Sequence, residues 1–232
     1  KKLNFLSNNE DILFDLNLYS SILNIENDKY NLALKYISEA KKIILSRIKS
    51  LLNESYIRGY ELLVKNQMLY NLEQIIDYKQ NHFGDKPYFK QMVNRWNKNL
   101  DIIGQDPYIY EKFLAIRSLV LPIDQEYNKY IDLVKICRRL KLYLQGEKIL
   151  IRLKNKLKIE NIGESNDLRM NEILIKIELN YNRCIFEKGE TSEAIDKSKY
   201  IVDLLDNAEL NKINSKKILC RLNDKIKSQI YG

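Results

Sequence analysis

Groups that could take up a proton, ligate a metal or cradle a phosphate are present in this chain, but few are spaced for such work. Its one histidine, His82, stands in a loop between Asn81 and Phe83, so a histidine-based triad or metal cluster would have to form around that single ring. A surface or turn role is the expectation. A nucleotide-binding enzyme needs a glycine-rich phosphate cradle with its lysine, or a catalytic loop with paired Asp and Asn and a metal-binding Asp. Here Gly59, Gly84, Gly104, Gly146, Gly163 and Gly189 are scattered singly, which reads as helix ends and close packing. Carboxylate pairs such as Glu10/Asp11 and Asp203/Asp206 sit where helical surfaces would carry them, and nothing marks one as an acid of raised pKa. Cys137, Cys184 and Cys220 are odd in number and far apart, which argues against a disulfide framework or a structural zinc site. The expectation is a chain without catalytic, cofactor-binding or metal-binding residues.

Cations carry more of the pattern. KKIILSRIKS, KICRRLK and KILIRLKNKLK place Lys41, Lys42, Arg47, Lys49, Arg138, Arg139, Lys141, Lys148, Arg152, Lys154 and Lys156 among apolar residues. Such residues usually form a solvated face whose aliphatic stems cover the edge of the core. An anion-binding surface is the alternative, with Arg138 and Arg139 as its candidates. Arg117 differs, because EKFLAIRSLVLP surrounds it with Tyr110, Phe113, Leu114, Val120 and Leu121. Its guanidinium must snorkel outward or be held by an acceptor from another helix. A paired interior or interface arginine is expected, with Asp124, just past Pro122, as a candidate acceptor. Glu54 and Arg58 form an i, i+4 pair in the favourable orientation.

The elements that would position these side chains are helices. In 232 residues there are only 7 glycines and 3 prolines, too little turn chemistry for many short strands. Apolar residues recur at three- and four-residue spacing, and about ten helices fit between the interruptions. Ser7-Asn8-Asn9-Glu10 reads as a capping box opening a helix over 8–24 with Leu13, Leu16 and Leu23 inward. Asp28 caps a helix to about 52 carrying Leu32, Tyr36, Ile37, Ala40, Ile44, Ile48 and Leu51 on one face. A third spans 55–79 with Ile57, Tyr60, Val64, Met68, Leu72, Ile75 and Ile76 inward. QNHFGDKP is a loop, and Pro87 starts a helix holding Tyr88, Met92 and Trp96. Asp106-Pro107 starts another to about Val120, closed by Pro122, and 123–140, 144–157, 166–187, 191–205 and 208–230 complete the set. The 16 tyrosines are expected mostly at core-facing positions.

Short connections between consecutive helices make antiparallel pairs, and stacked pairs make an α-solenoid. The fold class expected is all-α, a solenoid of tetratricopeptide- or HEAT-like helix pairs forming one segment over 1–232. Small residues support close stacking: Ala33 and Ala40 flank Ile37 in DKYNLALKYISEA, and KGETSEAI puts Gly189 at a helix end and Ala194 in the next first turn. No stretch is apolar for the roughly 18 residues that a bilayer span requires. No signal peptide is apparent in KKLNFLSNNEDILFDLN, and the initial Lys suggests a piece of something longer.

YEKFLAIRSLVLPIDQEYNKYIDLVKICRRLKLYLQGEKIL (110–150) resembles the FAT domain of target-of-rapamycin kinases, members of the phosphatidylinositol-3-kinase-related family of Ser/Thr protein kinases. The matching residues are Arg117-Ser118-Leu119-Val120, then Asp124 and Glu126, then Cys137-Arg138. Upstream, NESYIRGYELLVKNQMLYNLEQIIDYK (53–79) is similar to the same family's Glu-Ser-Tyr-x-Arg-x-Tyr helix through Glu54, Ser55, Tyr56, Arg58 and Tyr60, and to its continuation through Met68, Leu69, Leu72 and Glu73. Arg95-Trp96 resembles the family's tryptophan-bearing short helix. The resemblance covers 28–150 best and 151–232 less well, and KKILCRLNDKIKSQIYG keeps Cys220 and Arg221 of a later FAT helix without its Trp.

The resemblance implies a scaffold segment that clamps and positions a kinase domain and supports complex assembly in growth and nutrient signalling. It implies no catalysis in this chain, with ATP and Mg confined to a kinase domain elsewhere in the parent. Expected partners are that kinase domain, neighbouring helical repeats and other subunits of the complex. Nucleic acid and a membrane span are not expected. The expected location is cytoplasmic, or at a membrane or in the nucleus where the parent complex is carried there. Arg117, Glu54, Arg58 and Trp96 are the structural or interface residues it points to. The alternatives are a free-standing tetratricopeptide-like adaptor and a basic helical module that binds anions.

Overall fold

Helix follows helix in the computed structural model, which describes residues 2–54, 56–103, 106–158 and 168–207, with side chains for 9–48, 59–103, 106–158 and most of 169–201. Nine α-helices are found among the described residues: α1 (Lys2–Glu26), α2 (Tyr30–Glu54), α3 (Tyr56–Asn81), α4 (Lys86–Ile103), α5 (Pro107–Arg117), α6 (Ile123–Arg139), α7 (Tyr143–Leu157), α8 (Leu168–Lys188) and α9 (Thr191–Asn207). No strand occurs among those residues. The fold is all-α and solenoidal. The tenth expected helix, 208–230, lies outside the described residues.

The helix ends follow local chemistry. Asp106 caps α5, its Oδ1 accepting from Tyr108 N at 2.8 Å and Ile109 N at 3.3 Å, and Pro107 fills the first turn where a backbone N–H is not needed. Asp85 does the same for α4, accepting from Tyr88 N at 3.1 Å. Gly84 (φ 88°) and Gly189 (φ 106°) take left-handed turns that an L side chain would strain. Asp28 also turns left-handed, at φ 55°, and its carboxylate accepts from Tyr30 Oη at 2.6 Å.

Two expected boundaries move. Ser7–Glu10 lies inside α1 rather than opening it, because the apolar periodicity continues upstream and the helix begins by Lys2. Helix α5 stops at Arg117, three residues short of the expected end. The residue before a proline is pushed out of helical geometry, and the chain leaves early through a turn in which Val120 N and Leu121 N both donate to the Arg117 carbonyl, at 3.1 and 2.9 Å.

The chain divides into two compact units, Lys1–Leu121 and Pro122–Gly232. In the first, α2 packs on α1 and α3, α4 on α3 and α5, and α3 also touches α1 and α5. The core holds Phe14, Leu18 and Ile25 of α1, Ala33, Ile37, Ala40 and Ile44 of α2, and Val64, Met68, Leu72, Ile75 and Ile76 of α3. The alanines let α2 approach both neighbours, as their spacing implies. Each fully buried large aliphatic side chain contributes about 1.5–3 kcal/mol.

The inward face of α1 was not the expected one. Leu13, Leu16 and Leu23 are exposed, and the stripe Phe14, Leu18, Ser21, Ile25 is buried instead. α1 is apolar on more than one side, so periodicity alone offers two faces and tertiary packing selects between them. Leu32 and Tyr60 also point outward where inward positions were expected, and Tyr19, Tyr70, Tyr108 and Tyr200 are exposed, against the expectation of mostly core-facing tyrosines. A phenol can lie on an apolar ridge with its hydroxyl in water, which makes tyrosine a poor marker of the core.

The second unit stacks α6, α7, α8 and α9 in order, with α6 also against α8. Gly146, Ile149, Leu150, Leu153 and Leu157 form the buried edge of α7. A Cβ on Gly146 would lie 3.3 Å from Cys184 Sγ, 3.6 Å from Val134 Cγ1 and 3.7 Å from Cys137 Cβ, so α7 sits close against both α6 and α8. Gly146→Ala is expected to stay within about 1 kcal/mol of wild type, because gained helix propensity offsets a slight displacement of the sulfur. Gly146→Leu should cost about 1–3 kcal/mol by overpacking. Urea unfolding followed by circular dichroism separates the two, and equal midpoints would mean that the helices are not held at this spacing.

Candidate functional site

Arg117 and Trp96 meet at the junction of α3, α4 and α5. Arg117 is the last residue of α5, so its carbonyl closes the turn before Pro122 while its side chain reaches α4. Arg117 Nη2 donates to Asn97 Oδ1 at 2.9 Å, and the guanidinium carbon lies 5.7 Å from the centroid of the Trp96 ring. Trp96 Nε1 donates in turn to Gln74 Oε1 of α3, at 2.9 Å. Both large side chains are 1% exposed. The arrangement joins three helices through an arginine on an aromatic face and two amide acceptors, a geometry suited to holding elements in register.

The acceptor found for Arg117 is Asn97, not the suggested Asp124, whose carboxylate lies 3.7 Å from Arg169 Nη2 of α8. Asn97 and Gln74 were not anticipated from the sequence. Their one local signal is an amide at a helical position next to apolar neighbours, which many exposed residues share. Glu54 ends α2 and Arg58 lies in the first turn of α3, but their side chains are outside the described ones, and so is Cys220.

Several of the basic residues expected to form a solvated face act as clips between helices. Asp11 of α1 accepts from Arg47 of α2 and Lys65 of α3, each at 3.0 Å, and Asp15 accepts from Lys112 of α5 at 3.0 Å. Burial works against the charged form of Asp11, yet the hydrogen bonds and charges of Lys65 and Arg47 hold its pKa below the usual carboxylate value. Lys41 donates to both carboxylate oxygens of Glu73 at 2.6 Å, and Lys154 to Glu178 at 2.8 Å. Partly exposed pairs of this kind are worth only about 0–1 kcal/mol each, so they set register more than stability. His82 stacks on Tyr88 with ring centroids 4.1 Å apart, and Tyr88 Oη donates to Asp77 at 2.7 Å, a corner that braces the turn between α3 and α4.

In the second unit Arg138 makes a forked pair with Glu187 of α8, whereas Arg139 is exposed. Arg138 therefore already holds a carboxylate where an incoming anion would have to bind. Cys137 and Cys184 are buried thiols on either side of Gly146. Burial pushes the Cys184 thiol up to about 12, against the pull of Arg138 and with help from Glu147 and Glu187. The folded state favours the neutral thiol, so its contribution is complete below the unfolded value and is lost as pH rises from about 9 towards 12. Stability should fall across that window, and Cys184→Ala should flatten the fall. An unchanged slope in pH-dependent urea titrations would refute a buried thiol here.

Among the described residues there is no group of three or more His, Cys, Asp and Glu side chains that could hold a metal ion, and no helix long and apolar enough to cross a membrane. What the geometry offers is register between stacked helices. A FAT domain profile matches residues 3–229. The serine/threonine-protein kinase tor1 of Schizosaccharomyces pombe is 32% identical over 125 residues, covering 54% of this chain and 5% of that protein. The serine/threonine-protein kinase TOR2 of Saccharomyces cerevisiae is 30% identical over 128 residues (54% and 5%), and the serine/threonine-protein kinase TOR of Oryza sativa subsp. japonica 26% over 140 residues (58% and 6%). The chain thus spans only 5–6% of the length of these relatives. With the profile covering nearly its whole length, the chain belongs to the FAT domain family.

Proposed function

We propose that residues 1–232 are one scaffold segment of a target-of-rapamycin-type Ser/Thr protein kinase, and that the segment clamps and positions the kinase domain and supports assembly of the larger complex in growth and nutrient signalling. The observation that carries this is the FAT match over 3–229 in a chain whose relatives are named as Ser/Thr kinases. The junction of Arg117, Trp96, Asn97 and Gln74 supports it, since a clamp must keep its helices in fixed register under load. Phosphoryl transfer, with its ATP and Mg, belongs to a kinase domain outside this chain. Its partners are that domain, adjacent repeats and other subunits, and its location follows the complex, cytoplasmic or carried to a membrane or the nucleus. Arg117 and Trp96 act as structural residues in this reading.

Co-expression of residues 1–232 with the kinase-bearing remainder of the polypeptide tests the reading. The two pieces should co-elute, and the kinase piece should lose activity or solubility without its scaffold. If a folded kinase piece elutes alone with full activity, the clamp is wrong. The free-standing adaptor has one observation in its favour, a groove of about 700 Å³ in the first unit lined by Tyr60, Val64, Met68, Ile102, Tyr108 and Ile109. That reading requires an open reading frame with no kinase catalytic loop beside these residues.

A further inference from the structure

The groove of the first unit is apolar in its depth and aromatic and charged at its surface. Val64 and Met68 line it from α3 and are buried, whereas Tyr60, Ile102 and Tyr108 line it where it meets water and are 38%, 75% and 62% exposed. Its volume of about 700 Å³ is in the range of sites that enclose part of a ligand. From Tyr60 to Met68 the wall supplied by α3 is about 12 Å long, at about 1.5 Å per helical residue. An extended segment sets side chains i, i+2 and i+4 on one face over about 13 Å, so three of them match that wall.

Ionisable groups along the groove decide which side chains fit. Lys65 and Lys112 line it, yet both are already held: Lys65 Nζ lies 3.0 Å from Asp11 and 3.1 Å from Glu61, and Lys112 Nζ lies 3.0 Å from Asp15. Arg47 joins this network through Asp11 and Glu10, which leaves three cations facing four carboxylates. Asp106 adds another negative charge. Its Oδ1 caps α5 by accepting from two backbone N–H groups, and no cation pairs with it among the described residues. The C-terminus of α4 and the N-terminus of α5 both end at the groove, so their opposed dipoles offset each other and the side chains decide. An entering anion would have to break existing pairs. A single ammonium or guanidinium meets Asp106 and two exposed tyrosine rings.

The composition also distinguishes this groove from a permanent stacking face. Ala33, Ile37, Ala40 and Ile44, by which α2 packs, include no ionisable group. The groove mixes aliphatic residues with two tyrosines and with Glu61, Lys65, Asp106 and Lys112, as a reversible interface with a polar rim does. We propose that it is a docking site for an extended segment of a separate protein, one that presents two large aliphatic residues and a lysine or arginine on the same face, with the cation against Asp106. This goes beyond the scaffold reading and does not rest on the clamp.

The test uses the full-length polypeptide and two fluorescein-labelled peptides, Lys-Ser-Leu-Ser-Leu-Ser-Lys and its counterpart with both lysines replaced by glutamate. A lysine at each end serves either chain direction. Fluorescence anisotropy should show saturable binding of the lysine peptide, several-fold tighter than that of the glutamate peptide. Asp106→Asn keeps a side-chain cap on α5 but removes its charge, so it should narrow that preference. Ile102→Lys puts a cation at an exposed position of the groove, leaves the core untouched, and should weaken the lysine peptide several-fold. The proposal is overturned by equal or tighter binding of the glutamate peptide, or by a variant that binds both peptides as the wild type does. Absence of saturable binding, as when the same polypeptide already fills the groove, overturns it too. Self-association that the lysine peptide dissolves would make a second copy the occupant, with the same consequence.

Discussion

Trp96→Ala is expected to destabilise the first unit by about 3–5 kcal/mol, the range for removing a large buried aromatic side chain. Three losses coincide at this position. The indole fills a site where it is 1% exposed, so alanine leaves a cavity among α3, α4 and α5. Gln74 Oε1 loses the Nε1 donor at 2.9 Å and is left in a nearly buried side chain. Arg117 loses the ring beneath its guanidinium. Trp96→Phe isolates the middle loss, because it keeps an aromatic face and most of the volume but removes the donor. It should cost about 1–3 kcal/mol, the penalty of an unsatisfied buried acceptor. Urea denaturation of both variants by circular dichroism gives the ordering. A Trp96→Ala variant within about 1 kcal/mol of wild type would mean that the junction collapses around the hole and does not hold the helices. The chain has one tryptophan among 16 tyrosines, so fluorescence excited where only the indole absorbs reports on this junction.

The sequence made helix boundaries legible wherever one residue sets the backbone locally. Asp106-Pro107 opens α5 and Gly189 closes α8, because a cap side chain, a fixed φ or a tolerated positive φ acts within a few residues of itself. The choice of buried face was legible in most of α2 and α3, apart from Leu32 and Tyr60, and failed in α1, where two stripes compete. That failure is physical, since the face a helix buries depends on which neighbours arrive. At the site, Arg117 and Trp96 could be read because a large or charged side chain in an apolar run needs an explanation. Asn97 and Gln74 could not, because an amide becomes a partner only when folding brings a donor from 20 or 22 residues away. The ion pairs that turn Lys41, Arg47 and Lys154 into clips are nonlocal in the same way.

The second large effect is expected at Arg117, where the sign of a single substitution is less informative than its coupling to Asn97. Arg117→Met preserves length and most of the packing, and it relieves the burial of a cation, a change that can be neutral when the whole polar cluster is replaced. Here the cluster is not replaced. Asn97 Oδ1 loses its donor at 2.9 Å and the Trp96 face loses its cation, so the variant should lose about 1–3 kcal/mol. Asn97→Leu attacks the same contact from the other side by taking an acceptor away from a guanidinium that is 1% exposed, and it should cost at least as much. The double variant removes donor and acceptor together, leaves methionine and leucine to pack beside the indole, and should be more stable than the sum of the single losses predicts. A coupling of about 0.5–3 kcal/mol is expected for two residues in direct contact. Strict additivity would show that the Arg117–Asn97 contact carries no energy. In the co-expression experiment Arg117→Met separates stability from docking: the clamp reading requires weaker co-elution even at temperatures where the variant remains folded, because loss of register at the junction shifts the surface that meets the kinase piece.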